Sequence, residues 1–255
     1  MKDNLKSFPV GSAALVQGAS RGIGLGLVRG LLEERSFESV VATCRDPASA
    51  IDLQALAGER LKILQLDVTD AAHVDDLAAT LEAQGVRPSL IVNAAGVLHR
   101  EGFAPEKKLE DLEMRSLEQV FAVNAFGPAL MLKALRPLMA REGKAVFAAI
   151  SARVGSIADN RLGGWYGYRA SKAALNQIIR TAGIEFSRRN RNAIAAALHP
   201  GTTDTGLSKP FQANVPAGKL FSIEQTCGYL LSVIDGLTAD DNGGFFAWDG
   251  KPIEW

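Results

Sequence analysis

The sequence predicts one α/β domain, a doubly wound parallel sheet of about seven strands with helices on both faces. Short apolar runs rich in β-branched residues alternate with helical patterns along the whole chain, as in successive βαβ units. No repeat, low-complexity segment or linker divides the 255 residues, so residues 1–255 are expected to fold as one domain. A hydrophobic content of 47% supplies enough side chains for a buried core of that size.

The strands are predicted from the apolar runs, and the helices from the 3.6-residue periodicity between them. The predicted strands are residues 13–17, 39–44, 61–66, 90–93, 144–151, 192–198 and 244–248. The predicted helices lie near residues 22–35, 48–57, 70–84, 116–141, 167–189 and 223–236. Ligands of such sheets bind beyond the carboxyl ends of the strands. The glycine-rich and polar motifs follow predicted strands, so the functional site is expected at that edge.

Charge and cysteine content exclude several classes of function. Lys and Arg together number 28, as do Asp and Glu, and a formal net charge of zero argues against nucleic-acid and membrane partners. Apolar runs such as residues 145–150 are too short to span a bilayer, and the first strand begins too early to leave room for a secretory segment. Cys44 and Cys227 lie far apart without His neighbours, so neither a metal site nor a disulfide is expected. These features predict a soluble cytoplasmic protein.

The glycine cluster that follows the first predicted strand is the first candidate binding motif. It opens an amphipathic helix, and the backbone N–H groups at a helix N-terminus can hold the pyrophosphate of a dinucleotide. The residues predicted to bind there are Gly18, Ser20, Arg21, Gly22, Ile23 and Gly24.

Two further strand ends extend this site. A carboxylate after the third strand can accept a hydrogen bond from an adenine amino group, and small residues after the fourth let a flat ligand approach the backbone. Each motif also has an ordinary interpretation, as a turn or helix cap at Asp67 and as tight packing after the fourth strand. When the two motifs are considered together with the glycine cluster, cofactor binding is the favoured interpretation. The predicted ligands are Asp67, Val68, Asn93, Ala94, Ala95 and Gly96.

The end of the second strand distinguishes the two nicotinamide cofactors. An acidic residue there binds a ribose 2′-hydroxyl, whereas arginine accommodates a 2′-phosphate. Cys44 stands where the acid is expected and Arg45 follows it, while Arg21 adds a second cation. Guanidinium groups match phosphate geometry, so NADP (NADPH) is predicted and NAD is less favoured. Asp46 either pairs with Arg45, binds the ribose, or begins a turn with Pro47, and the turn is favoured.

Tyr168 and Lys172 form the candidate catalytic pair. Being four residues apart, they share one face of a predicted helix. At about 4 Å and an effective dielectric near 20, an ammonium attracts a phenolate by roughly 4 kcal/mol. This is enough to lower a tyrosine pKa by up to ~3 from its usual value of about 10, before desolvation opposes the shift. Tyr168 is therefore predicted to exchange a proton with an alkoxide or alcohol, while Lys172 tunes the phenol and binds ribose hydroxyls.

The motifs, taken in order, resemble the short-chain dehydrogenase/reductase family over nearly the whole chain. The matching positions are residues 18–24, 93–96, Asn124, 168–172 and 199–201. The segments similar to the C-factor branch, which is related to small carbonyl reductases, are residues 151–157, 160–166 and 243–250. The resemblance implies a Rossmann fold, an NAD(P)-dependent oxidoreductase, and assembly as a homodimer or homotetramer.

The same resemblance implies roles for further residues. The family's catalytic set is Asn, Ser, Tyr and Lys, and in this chain Asn124 would hold a water that links Lys172 to solvent. The segment after the sixth strand would flank the nicotinamide. Its residues are Pro200, Gly201, Thr202 and Thr203.

The catalytic serine is displaced relative to the family pattern. Aligning Gly155 with the family glycine places Ala152 at the serine position. Ser151 precedes that position by one residue, and Ser156 follows it by four. A one-residue offset on a regular strand turns a side chain to the opposite face, so Ser151 requires an irregular strand end. Ser151 is predicted to polarise the carbonyl and Ser156 to lie in a turn.

The leading hypothesis is an NADPH-dependent oxidoreductase that transfers a hydride between nicotinamide and a small or medium carbonyl or alcohol substrate, with a substrate loop near residues 203–222. The alternative is an NADP-binding regulatory or signalling protein with little turnover, which the C-factor resemblance and the displaced serine support. The Tyr168/Lys172 pair counts against this alternative, because a sensor gains nothing from a tuned phenol. The apolar side chains that either line the substrate site or belong to the core are Leu98, Trp165, Tyr166, Phe211 and Phe221.

Overall fold

All seven predicted strands form one parallel sheet in the computed structural model of the protein, which describes residues 2 and 4–255. With two additional short strands, they are β1 (Ser12–Gln17), β2 (Phe37–Cys44), β3 (Leu61–Gln65), β4 (Pro88–Asn93), β5 (Ala145–Ile150), β6 (Ala193–His199), β7 (Thr202–Thr203), β8 (Leu220–Phe221) and β9 (Gly244–Ala247). The sheet order is β3-β2-β1-β4-β5-β6-β9, so the strand order reverses between β1 and β4. Doubly wound proteins bind ligands beyond the carboxyl ends of the strands at this switch point.

The helices cover both faces of the sheet, which confirms the predicted fold class. They are α1 (Gly22–Glu33), α2 (Ile51–Gln54), α3 (Ala71–Ala83), α4 (Met114–Phe121), α5 (Gly127–Leu135), α6 (Tyr166–Arg189) and α7 (Ile223–Gly236). Leu27 of α1 and Ile234 of α7 belong to the core on one face of the sheet. Leu77 of α3 and Leu175 of α6 belong to the core on the other face. Every residue of β5 is buried, as expected for a parallel strand covered on both sides.

The single long helix predicted for residues 116–141 is wrong, because α4 and α5 are separated by a π-helical turn (Ala122–Phe126). The N–H group of Gly127 donates to the carbonyl oxygen of Ala122, which is the wider spacing of a π-helix. Pro128 follows in the first turn of α5, where its missing N–H group is tolerated. Such turns inside helices are frequent at functional sites.

The predicted helix near residues 48–57 is limited to the single turn α2. Asp46 Oδ1 accepts hydrogen bonds from the N–H groups of Ala48 at 3.0 Å and Ser49 at 3.3 Å, so the chain turns before the helix begins. The turn predicted at Asp46 is thereby confirmed. The other predicted elements of the sheet and its helices agree with the structure to within two residues at either end.

The segment predicted to contain the substrate loop has structure of its own. It begins just beyond the carboxyl end of β6, where β7 pairs in parallel with β8, and a 3₁₀ segment (Lys209–Asn214) lies between them. Strands of two residues are too short for alternating hydrophobicity to predict them. In the part of the chain that the structure describes, no helix is long and apolar enough to cross a membrane, and no cluster of His, Cys, Asp and Glu is suited to a metal ion.

Candidate active site

The turn between β1 and α1 forms a cradle of backbone groups. Gly18 has a φ of +83°, and a Cβ atom there would lie 2.6 Å from the nitrogen of Ala95. A Cβ atom on Gly24 would overlap the carbonyl oxygen of Gly18, so glycine is required at both positions. α1 begins at Gly22, and the side chain of its N-cap residue, Arg21, does not cap it. Its first N–H groups are therefore available to an anion, and the turn fits the pyrophosphate of a dinucleotide.

Gln17, which the sequence analysis did not assign to the site, ties the ends of β1 and β4 together. Its Oε1 atom accepts hydrogen bonds from Asn93 Nδ2 at 2.9 Å and from the N–H group of Ala95 at 3.3 Å. Its carbonyl oxygen accepts a third from the N–H group of Ala94 at 2.9 Å. The buried Gln17 side chain thus places the small residues after β4 beside the glycine turn. The side chain of Asn93, a predicted ligand, is engaged in this contact.

A cavity of about 430 Å³ brings together the two arginines predicted to bind a 2′-phosphate. Its lining residues are Ser20, Arg21, Arg45, Asp46, Ser49, Ala50, Ile51 and Asp52. The Asp46 carboxylate faces its own turn, where hydrogen bonds from Ser49 lower its pKa. Asp46 Oδ1 thus serves the turn that the sequence analysis favours, while the side chain also lines the cavity.

Arg100, which follows β4, is a third cation near this cavity that the sequence analysis missed. Burial and the positive charges of Arg45 and Arg21 lower the pKa of its guanidinium, and the carboxylate of Asp67 opposes this shift. Burial disfavours the charged form of Asp67, but hydrogen bonds from Thr69 and the charge of Arg45 outweigh it and lower the pKa. Thr69 donates to Asp67 Oδ1 from its N–H group at 2.9 Å and from Oγ1 at 2.7 Å. Asp67 thus forms the predicted local turn and also lies within the electrostatic reach of the arginines.

Two other predicted ligands have apolar side chains that pack in the core. Ile23 is half-buried against the core that contains α1, and Val68 is buried in the core on the opposite face. The roles of Ile23 and Val68 as cofactor ligands stay predictions. After β6, Thr203 shares a hydrogen bond of 2.8 Å with Thr226 of α7, which positions the segment predicted to flank the nicotinamide.

Tyr168 and Lys172 are both buried at the start of α6. Lys172 Nζ donates to the carbonyl oxygen of Ile150, the last residue of β5, at 2.8 Å, and lies 5.9 Å from the centre of the Tyr168 ring. Burial lowers the pKa of Lys172 to about 7 and raises that of Tyr168 to about 12. The downward shift predicted for the Tyr168 pKa is therefore wrong. Desolvation of the phenol outweighs the attraction of the Lys172 ammonium, which donates its hydrogen bond to the carbonyl oxygen of Ile150. A pKa of about 12 keeps the Tyr168 hydroxyl protonated at neutral pH, and its role in proton transfer stays a prediction.

Asn124 lies in the π-helical turn and binds the loop after β4. Its Oδ1 atom accepts from the N–H group of Val97 at 2.9 Å, and its Nδ2 atom donates to the Val97 carbonyl at 2.8 Å and to Ser171 Oγ at 3.1 Å. A Cβ atom placed on Gly96 would lie 3.6 Å from Asn124 Oδ1 and 3.8 Å from Lys172 Nζ. The structure thus brings Asn124, Gly96 and Lys172 together, and the water assigned to Asn124 stays a prediction.

The two candidate serines both have partners within the protein. Ser151 is buried, and its hydroxyl donates to Asn176 Oδ1 in α6 at 2.6 Å. Ser156 Oγ accepts from the N–H group of Asp159 at 3.1 Å, as expected for a turn residue. The role of Ser151 stays a prediction, and its hydroxyl would have to rotate away from Asn176 to reach a carbonyl.

Trp165 and Phe211, two of the predicted substrate-lining residues, form a half-buried pair with ring centroids 4.8 Å apart. His99, which the sequence analysis missed, packs edge-on against Phe211 at 5.7 Å. The ring of Tyr168 lies 6.3 Å from that of Trp165, so these aromatic side chains border the proposed proton donor. The other predicted lining residues are the buried Leu98 and Phe221 and the half-buried Tyr166.

Comparison with known proteins assigns the chain to a family. The family model described as short chain dehydrogenase matches residues 12–216. The chain belongs to the short-chain dehydrogenase family. Its similarity to 1-hydroxy-2-glutathionyl-2-methyl-3-butene dehydrogenase of Rhodococcus sp. (strain AD45) is 31% identity over 246 residues, which cover 96% of this chain and 100% of that protein.

Two further relatives of this short-chain dehydrogenase match the branches expected from its motifs. C-signal of Myxococcus xanthus is 33% identical over 147 residues, which are 58% of this chain and 83% of that protein. The crystal structure of NADPH-bound carbonyl reductase from chicken fatty liver has a TM-score of 0.87 and 31% identity, covering 97% of this chain and 95% of that chain. The chain is thus a short-chain dehydrogenase/reductase enzyme with C-factor-like and carbonyl reductase relatives, and these relatives support a nicotinamide cofactor.

Proposed function

We propose that this short-chain dehydrogenase is an NADPH-dependent carbonyl reductase acting on small or medium carbonyl compounds and their alcohols. The observation that carries the proposal is the position of the buried Tyr168/Lys172 pair at the carboxyl end of β5, the same sheet edge as the glycine turn. A bound nicotinamide cofactor would supply or accept the hydride. The protein then has to supply a proton, a cofactor site and a substrate site.

Tyr168 is the proposed proton donor in the direction of reduction. Its pKa of about 12 keeps the hydroxyl protonated at neutral pH, and an alkoxide is basic enough to take that proton. Lys172, with a pKa of about 7, can hold or release a proton near neutral pH and is proposed to bind the ribose hydroxyls beside Gly96. Asn124 anchors the loop beside Tyr168 and Lys172. We propose that it also holds the water that connects Lys172 to solvent. Ser151 is the proposed polarising hydroxyl.

The proposed cofactor is NADPH. Arg21 and Arg45 line one cavity, the positive charges of both act on Arg100, and Cys44 ends β2 where an acid would bind a ribose 2′-hydroxyl. The glycine turn would hold the pyrophosphate, with the small residues after β4 and residues 200–203 around the rest of the cofactor. The chicken fatty liver carbonyl reductase, described as NADPH-bound, is consistent with this choice. The loop near residues 203–222 would cover the substrate.

The decisive experiment follows NADPH consumption with a panel of aldehydes and ketones, using the unmodified protein and Tyr168→Phe. We expect turnover of at least one carbonyl compound by the unmodified protein, a clear preference for NADPH over NADH, and no turnover by the variant. NADPH binding without consumption across the whole panel would refute the reductase and favour a regulatory protein.

A further inference from the structure

Trp165 has a backbone conformation that large side chains rarely adopt. Its φ of +54° is the only positive φ at a non-glycine position within residues 2 and 4–255. Gly163 and Gly164 before it both have a φ of +64°, so three consecutive left-handed residues lead into α6. Strain of this kind persists only where the surrounding structure holds it, and it is concentrated at functional sites.

Arg169 holds this left-handed turn from inside α6. Its Nε atom donates to the carbonyl oxygen of Gly164 at 2.9 Å, and its Nη2 atom donates to that of Gly163 at 3.1 Å. Its Nη1 atom reaches the carbonyl of Val154 at 3.3 Å. One guanidinium therefore binds three carbonyl groups, two of them in the turn, which the compact ammonium of a lysine cannot reproduce.

Glu106 also binds this turn, through its backbone and its carboxylate. Its carbonyl oxygen accepts the N–H group of Trp165 at 2.5 Å, and its Oε2 atom accepts that of Gly167 at 3.1 Å. The side chain is buried at the N-terminus of α6, where the helix dipole favours a negative charge. A Cβ atom on Gly167 would lie 2.9 Å from Glu106 Oε1, so glycine leaves room for the carboxylate.

The turn presents the Trp165 ring beside the proton donor. Trp165, Phe211 and His99 are all half-buried and form what we call the aromatic wall. His99 Nε2 lies 3.1 Å from the carbonyl oxygen of Leu207, which ties the wall to the loop after β7. Neighbouring aromatic rings prefer edge-to-face or offset contacts, so an exposed aromatic surface attracts another flat ring more than a saturated one.

We propose that Trp165 determines the substrate specificity of this site and that Arg169 and Glu106 are its positioning residues. The aromatic wall selects carbonyl compounds conjugated to a flat ring over saturated carbonyl compounds of the same size. This inference rests on the proposed reductase function and adds the substrate class to it.

Acetophenone and cyclohexyl methyl ketone are the matched probes, because they share one carbon skeleton and differ in the flatness of the ring. Binding is measured by calorimetry with the protein saturated in NADP⁺, which cannot reduce either ketone. We expect acetophenone to bind about 3- to 10-fold more tightly, the scale of one aromatic contact. Trp165→Gly, which accepts the left-handed backbone, should remove this preference, and Trp165→Phe should retain most of it.

The positioning role is tested by Arg169→Met and Arg169→Lys, each with and without Trp165→Gly. Alone, both Arg169 variants should reduce the preference for acetophenone, whereas together with Trp165→Gly they should reduce it no further. In turnover assays the loss should appear in KM for acetophenone more than in kcat. The control is Arg188→Met, an exposed position near the other end of α6, which should keep the preference.

An unchanged preference in Trp165→Gly, no preference in the unmodified protein, or no binding of acetophenone would each overturn the inference. Turnover of the carbonyl panel is scored separately. Turnover without a preference for flat ketones would reject the inference and leave the reductase function standing, whereas the absence of all turnover would reject that function itself.

Discussion

Replacing Lys172 with methionine should change how the stability of the protein depends on pH. Lys172 is buried, and its pKa falls from 10.5 to about 7 on folding. Below pH 7 the lysine is charged in both states, and the buried charge destabilises the folded protein in full. Between about pH 7 and 10.5 the unfolded chain holds a proton that the folded chain has lost, so stability rises with pH.

The size of this effect follows from the two pKa values. The difference between 10.5 and about 7 corresponds to about 5 kcal/mol at 1.36 kcal/mol for each pKa unit. About 2–3 kcal/mol of this destabilisation should be relieved between pH 6 and pH 9. Methionine also leaves the carbonyl of Ile150 without its donor, at a cost of about 1–3 kcal/mol, but that cost is nearly the same at both pH values.

Urea unfolding of the unmodified protein and of Lys172→Met at pH 6 and pH 9 measures the effect. We expect the stability of the variant relative to the unmodified protein to fall by about 2–3 kcal/mol as the pH rises from 6 to 9. Burial lowers the pKa of Lys144 to about 8, but Lys144 titrates in both proteins, so its contribution cancels in the comparison. Lys133→Met, at an exposed position of α5, is the control and should show no such change. A relative stability of Lys172→Met that is equal at the two pH values would refute the argument that burial lowers the pKa of Lys172.

Three further predictions concern the chemistry. Tyr168→Phe should abolish turnover while NADPH binding, followed by fluorescence, stays nearly intact; substantial remaining activity would mean that another acid donates the proton. Arg45→Ala should weaken NADPH binding in calorimetry by about 1.5–3 kcal/mol, with Arg100→Ala acting in the same direction and NADH little affected, whereas equal affinity of the unmodified protein for both cofactors would contradict the assignment. Ser151→Ala should slow the chemical step by about 10²–10³ in single-turnover measurements, and Ser156→Ala should change it little. A loss in rate below tenfold would contradict the proposed polarising role and leave Ser151 with only a structural contact to Asn176.

The break between α4 and α5 shows where prediction from local sequence fails. Apolar periodicity continues through residues 116–141, so a single helix is predicted. The π-helical turn carries Asn124, whose amide binds the backbone of Val97, 27 residues earlier in the chain. A contact between residues this far apart in the sequence does not change the apolar periodicity of the helix, so the periodicity cannot predict it.

The sequence by itself determined how the seven sheet strands alternate with helices along the chain. It also determined the glycine turn and the spacing of Tyr168 and Lys172. These features depend on backbone preferences and side-chain periodicity over a few neighbouring residues. Only the tertiary structure decided that burial raises the pKa of Tyr168 and that Ser151 binds Asn176. It also brought Gln17 to Asn93 across 76 residues of chain. Desolvation and hydrogen bonding depend on what surrounds a group in space, and the folded packing alone sets those surroundings.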